Sequence, residues 1–105
     1  MDKKNEKYSS IFNLKDSFDL NDKVAIITGG GGLLGEKHAE AINEMGGSTV
    51  LVDINEKRAS INAENVMNKF GGKSIAIKCD ITNPESIEIV KKEVLETFGK
   101  IDIFK

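Results

Sequence analysis

The stretch Val24-Ala25-Ile26-Ile27-Thr28 is almost continuously apolar and runs straight into four glycines, Gly29-Gly30-Gly31-Gly32. A short unbroken apolar run of this kind suits a strand buried on both faces of a parallel sheet. Such a strand needs helices to cover it, and the residues after the glycines take up helical spacing. Leu34, His38, Ala41/Ile42 and Met45 recur as one expected stripe, which Gly46-Gly47 stops.

The alternation then repeats. Thr49-Val50-Leu51-Val52-Asp53 reads as a second strand. Asn55 can cap a second helix whose stripe is Ala59, Ala63, Val66 and Phe70, ended by Gly71-Gly72. Ser74-Ile75-Ala76-Ile77-Lys78-Cys79 reads as a third strand, and Asn83-Pro84 with Glu85 in the first turn is a clean helix start. Ile87, Val90, Val94 and Phe98 make the third stripe, Gly99 closes it, and Ile101-Asp102-Ile103-Phe104 opens a fourth strand. The order β-α-β-α-β-α-β with short connections predicts an α/β fold, a parallel sheet joined by right-handed crossovers. Residues 1–17 stand outside this alternation and read as a polar arm, leaving 18–105 as one partial domain.

Composition sets the outer bounds. With 105 residues there is room for one small domain. The charges, 15 basic against 17 acidic, nearly cancel, which argues against nucleic-acid or membrane-surface partners. No apolar run nears the roughly 20 residues of a membrane span. The single cysteine, Cys79, excludes an internal disulfide, and no Cys/His cluster offers a zinc site, so a reducing cytoplasmic setting is expected.

The glycine-rich turn carries the chemistry. Gly30-x-Gly32-x-x-Gly35 matches the dinucleotide-binding fingerprint, with a strand before it and a helix after. Glycines there allow a tight turn and close approach of backbone N–H groups to a pyrophosphate. Gly35 lets the helix pack closely on the strand, and the helix N-terminus adds unpaired N–H groups and a positive dipole end. Asp53 ends the second strand 18 residues after Gly35. A carboxylate there can accept hydrogen bonds from the adenosine ribose and repel a 2′-phosphate, so NAD is expected over NADP. A nucleotide-hydrolysing P-loop is rejected, because Glu36 stands where its lysine belongs. Together these features predict a Rossmann-type doubly wound parallel sheet.

The residues now on the page resemble the short-chain dehydrogenase/reductase family. Phe18-Asp19-Leu20-Asn21-Asp22-Lys23 leading into the first strand, Cys79-Asp80-Ile81-Thr82 after the third, and Phe98-Gly99-Lys100-Ile101-Asp102-Ile103 before the fourth all look like that family. The resemblance implies hydride transfer between NAD(H) and an alcohol or carbonyl substrate. It places Gly29, Gly31, Gly32, Leu33, Leu34 and Gly35 at the pyrophosphate. Asp53 and Ile54 fall at the adenosine ribose, and Asp80 and Ile81 at the adenine. Members of the family are usually homodimers or homotetramers. The spacing Thr28-Gly29-x-x-Gly32-x-x-Gly35 is typical of the extended branch, which includes nucleotide-sugar epimerases and dehydratases. That branch, and a non-catalytic nucleotide-binding module, stand as alternatives.

The family's Tyr-x-x-x-Lys pair has no counterpart here: Tyr8, the one tyrosine, is followed four places on by Phe12. No catalytic residue is therefore assigned. With its brief fourth strand ending at Lys105, the chain reads as the front part of a longer oxidoreductase. His38 is expected at the sheet boundary, Cys79 in the core, Met45 and Met67 on or beside apolar stripes, and the Glu/Lys mixture of 85–96 on a solvated helix face.

Overall fold

A computed structural model describes residues 19–105. The arm read at 1–17, with Tyr8, and Phe18 lie outside the described residues. The elements alternate as β1 (Val24–Thr28), α1 (Leu33–Glu44), β2 (Ser48–Asp53), α2 (Glu56–Phe70), β3 (Ser74–Lys78), α3 (Pro84–Phe98) and β4 (Ile103–Phe104). The strands are parallel and ordered β3-β2-β1-β4. Ile26 pairs with Val50, which pairs with Ile75; on its other side Ile26 pairs with Phe104. This is the doubly wound arrangement expected, with the order reversing at β1, so that a crevice opens where the chain leaves β1 and β4.

The sheet has an apolar cluster on each face. Ala25, Ile27 and Leu51 pack with Ala39 and Ile42 of α1 and with Ala59, Ala63 and Val66 of α2. Val24, Ile26, Val50 and Val52 pack on the opposite face with Cys79 and with Val90 and Val94 of α3. The helix ends follow from side-chain chemistry. The Asn55 side chain accepts from the Arg58 N–H and that of Asn83 from the Glu85 N–H, with Pro84 just inside α3. Gly99 closes α3 at φ +82°, a left-handed conformation in which a side chain would be strained.

Several expectations are corrected. The buried face of α1 is Gly35, Ala39, Ile42 and Asn43; of the expected stripe Leu34, His38, Ala41/Ile42 and Met45, only Ile42 lies on it. Leu34 is 69% exposed. Gly35 causes the rotation: a Cβ on it would collide with the Gly29 carbonyl, so this position faces the turn and carries 39, 42 and 43 inward behind it. Phe70 and Met67 are more than a third exposed. Cys79 is buried, just beyond the end of β3. β4 has two residues rather than four, although backbone hydrogen bonds of Asp102 with Val24 and of Lys105 with Thr28 extend the pairing at both ends.

Asn43, which sequence spacing did not single out, anchors a buried polar network. Its amide donates to the carbonyls of Gly71 and Lys73, both at 3.2 Å, and its oxygen accepts the Thr49 hydroxyl at 2.8 Å. An amide oxygen can only accept, so the Thr49 hydroxyl spends its proton there, and the Ser74 hydroxyl, also 2.8 Å away, donates to Thr49.

Candidate functional site

The sequence-predicted site residues come together at the carboxyl ends of β1, β2 and β3. β1 ends in Thr28, and Gly29 turns the chain at φ +66°, a conformation natural to glycine. The three following glycines answer to different constraints. A Cβ on Gly30 would lie 2.5 Å from Cβ of Leu51, so this residue is small in order to cross β2. A Cβ on Gly31 would meet Arg58 and the Asp53 carboxylate at 2.9 Å. A Cβ on Gly32 would touch only the Gly29 carbonyl, at 3.4 Å, and Gly32 is exposed. The fold itself therefore requires Gly30 and Gly35, whereas the openness over Gly32 faces solvent.

Gly32 is the N-cap of α1 and, having no side chain, leaves the N–H groups of the first helical turn without a side-chain acceptor. Glu36 already bonds back to the Gly32 carbonyl at 3.1 Å, so the N–H groups aimed outward belong to residues 33–35. Leu33 and Leu34 are 73% and 69% exposed around this turn. An uncapped helix start above a glycine with open space over it is a cradle that fits a diphosphate.

Asp53 ends β2 beside the cradle. One carboxylate oxygen accepts the Gly31 N–H and the other the Asn55 N–H, both at 2.9 Å. Asp53, expected only as a ligand residue, thus also braces the turn. Each oxygen keeps a lone pair free of these bonds, so the side chain can still accept hydroxyl protons. Ile54 beside it is 66% exposed.

Asp53, Ile54, Asp80 and Ile81 line one hollow of about 280 Å³, together with Gly29 and Cys79. The Asp80 carboxylate accepts both the hydroxyl (2.6 Å) and the N–H (3.0 Å) of Thr82. These bonds, the hydroxyl's first, hold its pKa below the usual carboxylate value. The Asp80 N–H is tied to the Ser86 hydroxyl at 3.2 Å, which fixes the loop to α3.

A second hollow, of about 600 Å³, lies across the turn between Thr28, Leu34, His38 and Lys105. A third, of about 400 Å³, runs between Gly31, Gly32, Arg58 and Asn62. His38 is half-buried at the boundary, where it was expected. Among the described residues no group of three or more His, Cys, Asp or Glu could hold a metal, and no helix is long and apolar enough to cross a membrane.

The chain's similarities to known proteins fall on this same stretch. The short chain dehydrogenase family profile matches residues 23–105. A sorbose reductase of Candida albicans is 40% identical over 92 residues, covering 88% of this chain and 32% of the reductase. A probable NADP-dependent mannitol dehydrogenase of Yarrowia lipolytica is 37% identical over 88% of this chain and 33% of its own length. Among solved structures, the hydroxysteroid dehydrogenase of Escherichia coli superposes with a TM-score of 0.80 at 32% identity, over 86% of this chain and 38% of that one. The L-sorbose reductase of Gluconobacter frateurii, complexed with NADPH and L-sorbose, superposes at 0.78 with 31% identity, over 83% of this chain and 33% of that one. The chain thus spans about a third of the length of the proteins it matches.

Proposed function

The chain belongs to the short-chain dehydrogenase family, and from that premise we propose that it forms the adenosine- and diphosphate-binding part of a nicotinamide-dependent oxidoreductase. The observation that carries this reading is the uncapped start of α1, open over Gly32, with the Asp53 carboxylate beside it. In this reading the N–H groups of Leu33, Leu34 and Gly35 bind the diphosphate, Asp53 and Ile54 border the adenosine ribose, and Asp80 and Ile81 border the adenine. Gly29 and Gly31 shape the turn. When bound, the dinucleotide supplies hydride chemistry towards an alcohol or carbonyl. This chain's residues bind and orient it; the family's proton-transferring Tyr-x-x-x-Lys pair does not occur among the 105 residues. Substrate binding, and assembly into homodimers or homotetramers, are proposed only for a protein of the relatives' length.

NAD is proposed over NADP because a carboxylate at Asp53 sits where a 2′-phosphate would bring more negative charge. The phosphorylated cofactor is the second reading. Arg58, which borders the groove beside Gly31, favours it, and relatives of both preferences are known: the mannitol dehydrogenase above is named NADP-dependent, while a glycerol dehydrogenase of Listeria innocua, 37% identical over 82% of this chain and 32% of its own length, is named NAD-dependent. Titrating the chain with NADH and with NADPH by fluorescence decides between them. Tighter NADH binding is expected; equal or tighter NADPH binding refutes the NAD assignment, and no binding of either refutes the site.

A further inference from the structure

Asn62 lies in the middle of α2, outside the glycine motif, yet it reaches that motif. Its side-chain amide nitrogen donates to the carbonyl oxygens of Gly30, at 2.8 Å, and Gly32, at 3.1 Å. Carbonyl oxygens can only accept, so the amide group must face them, and both its protons are used. A planar trans peptide holds its C=O and the following N–H on opposite sides. With the Gly32 carbonyl held towards α2, the Leu33 N–H faces away from α2, out of the helix start. With the Gly30 carbonyl held, the Gly31 N–H faces Asp53, which it meets at 2.9 Å. One side chain thus touches two alternate peptides of the turn, sharing the first with Asp53, which holds its N–H, and the second with the Glu36 N–H, which also bonds the Gly32 carbonyl.

Two further polar contacts join α1 to α2. Asn65 approaches Glu36 at 3.4 Å, and Lys69 bonds Glu40 at 3.1 Å. These hold helix to helix, but neither touches the turn. The turn is four glycines long, and each glycine has an unusually wide range of φ and ψ. Val52, Asp53 and Glu36 each hold one group of it, and Asn62 adds the bond to the Gly30 carbonyl and a second bond to that of Gly32. With those two lost, the turn would spend part of its time with N–H groups misdirected, and apparent affinity falls by that fraction.

We propose that Asn62 is a positioning residue for the cofactor diphosphate, holding the Gly30 and Gly32 carbonyls against α2 so that the first-turn N–H groups of α1 converge on it. The proposal rests on the reading of the glycine turn as the diphosphate cradle. It separates affinity from folding, since Asn62 is half-buried at a groove and belongs to neither apolar cluster.

The test compares wild type with Asn62→Asp, which keeps the shape but turns a carboxylate on two carbonyls, and Asn62→Ser, which is too short to reach them. Each is titrated with ADP-ribose and with adenosine, followed by amide chemical shifts, which read weak binding, and each is melted without ligand. The expected result is an ADP-ribose Kd raised about tenfold or more, from a turn competent about a tenth of the time, with adenosine binding within about twofold of wild type. ADP-ribose affinity within about twofold of wild type in a folded variant overturns the proposal, as does an equal loss for adenosine. If Asn62→Asp fails to fold, Asn62→Ser decides. A wild type that binds NADH and adenosine but not ADP-ribose overturns the cradle reading itself, and the role of Asn62 with it.

Discussion

Gly32 and Gly35 stand three residues apart in one motif, yet the structure gives them opposite duties. A Cβ on Gly35 has nowhere to go, because the Gly29 carbonyl already occupies the space. Gly35→Ala should therefore destabilise the fold by about 1–3 kcal/mol, the usual range for overpacking, read as a lowered urea midpoint. A Cβ on Gly32 meets only one atom, at ordinary contact distance. Gly32→Val should leave stability within about 1 kcal/mol of wild type, since the N-cap loses little more than glycine's own capping preference. It should weaken NADH binding at least about tenfold, roughly 1.4 kcal/mol, by filling the space a diphosphate would use. Unchanged affinity would mean that the cofactor does not cross this turn. Asp53 makes a sharper probe than sequence alone allowed, because its two oxygens hold Gly31 and Asn55. Asp53→Ala would confuse lost bracing with lost selectivity. Asp53→Asn removes the charge and keeps one of the two acceptors, losing one bracing bond instead of both, and it should narrow the NADH/NADPH affinity ratio by about tenfold. An unchanged ratio would remove Asp53 from cofactor selection.

At the scale of the elements, what could be read from the sequence is what local chemistry dictates. Asn55 and Asn83 cap their helices through their own side chains, and the glycines at 71 and 99 end them, because capping depends on the few residues at each end. The strands were legible because a doubly covered sheet demands unbroken apolar runs. The rotation of α1 was not, because Leu34 is apolar and its spacing looked right, while the deciding contact is made by an atom Gly35 lacks. Nor were Asn43, which meets Thr49 and Ser74, and Asn62, which meets the glycine turn: their partners lie on other elements, and no periodicity marks them. Asp102 is another such pairing across the chain. Its carboxylate accepts the Val24 N–H at 2.9 Å and lies 3.3 Å from Lys100. The Val24 N–H first, and Lys100 after it, hold the carboxyl pKa below the usual range. A carboxyl whose pKa is lower folded than unfolded stabilises the fold above the unfolded value, near pH 4, and that contribution is lost as pH falls through the folded value. Urea midpoints measured from about pH 6 down to pH 2 should therefore fall less steeply for Asp102→Asn, whose amide oxygen still accepts from Val24. Parallel acid limbs for the two proteins would show that Asp102 does not contribute to acid lability.

Across the whole molecule the sheet is a partition between two apolar clusters, and its middle strands belong to both. Ile27 and Leu51 face α1 and α2, while Ile26 and Val50 face α3, so the backbones of β1 and β2 are covered on each side. They are also flanked within the sheet: β2 lies between β3 and β1, and β1 between β2 and β4. β4 has two paired residues, and its Phe104 is 47% exposed. Cooperativity should follow this layout, with amides of β1 and β2 exchanging only through global unfolding and those around β4 through local opening. Leu51→Ala supplies the test, because Leu51 is fully buried against both helices of its face. Truncating it should cost about 2–5 kcal/mol and lower the exchange protection of Ile26, Val50 and Val52 by one common amount, even though those side chains point into the other cluster. The protection of Phe104 and Lys105 should hardly change, since opening there does not expose Leu51. Native-state hydrogen exchange of both proteins reads all of these amides at once. If Ile26 and Val50 kept their protection while Ile27 lost its own, the two faces would be unfolding independently, and the sheet would not be the single cooperative unit that its two-sided burial implies.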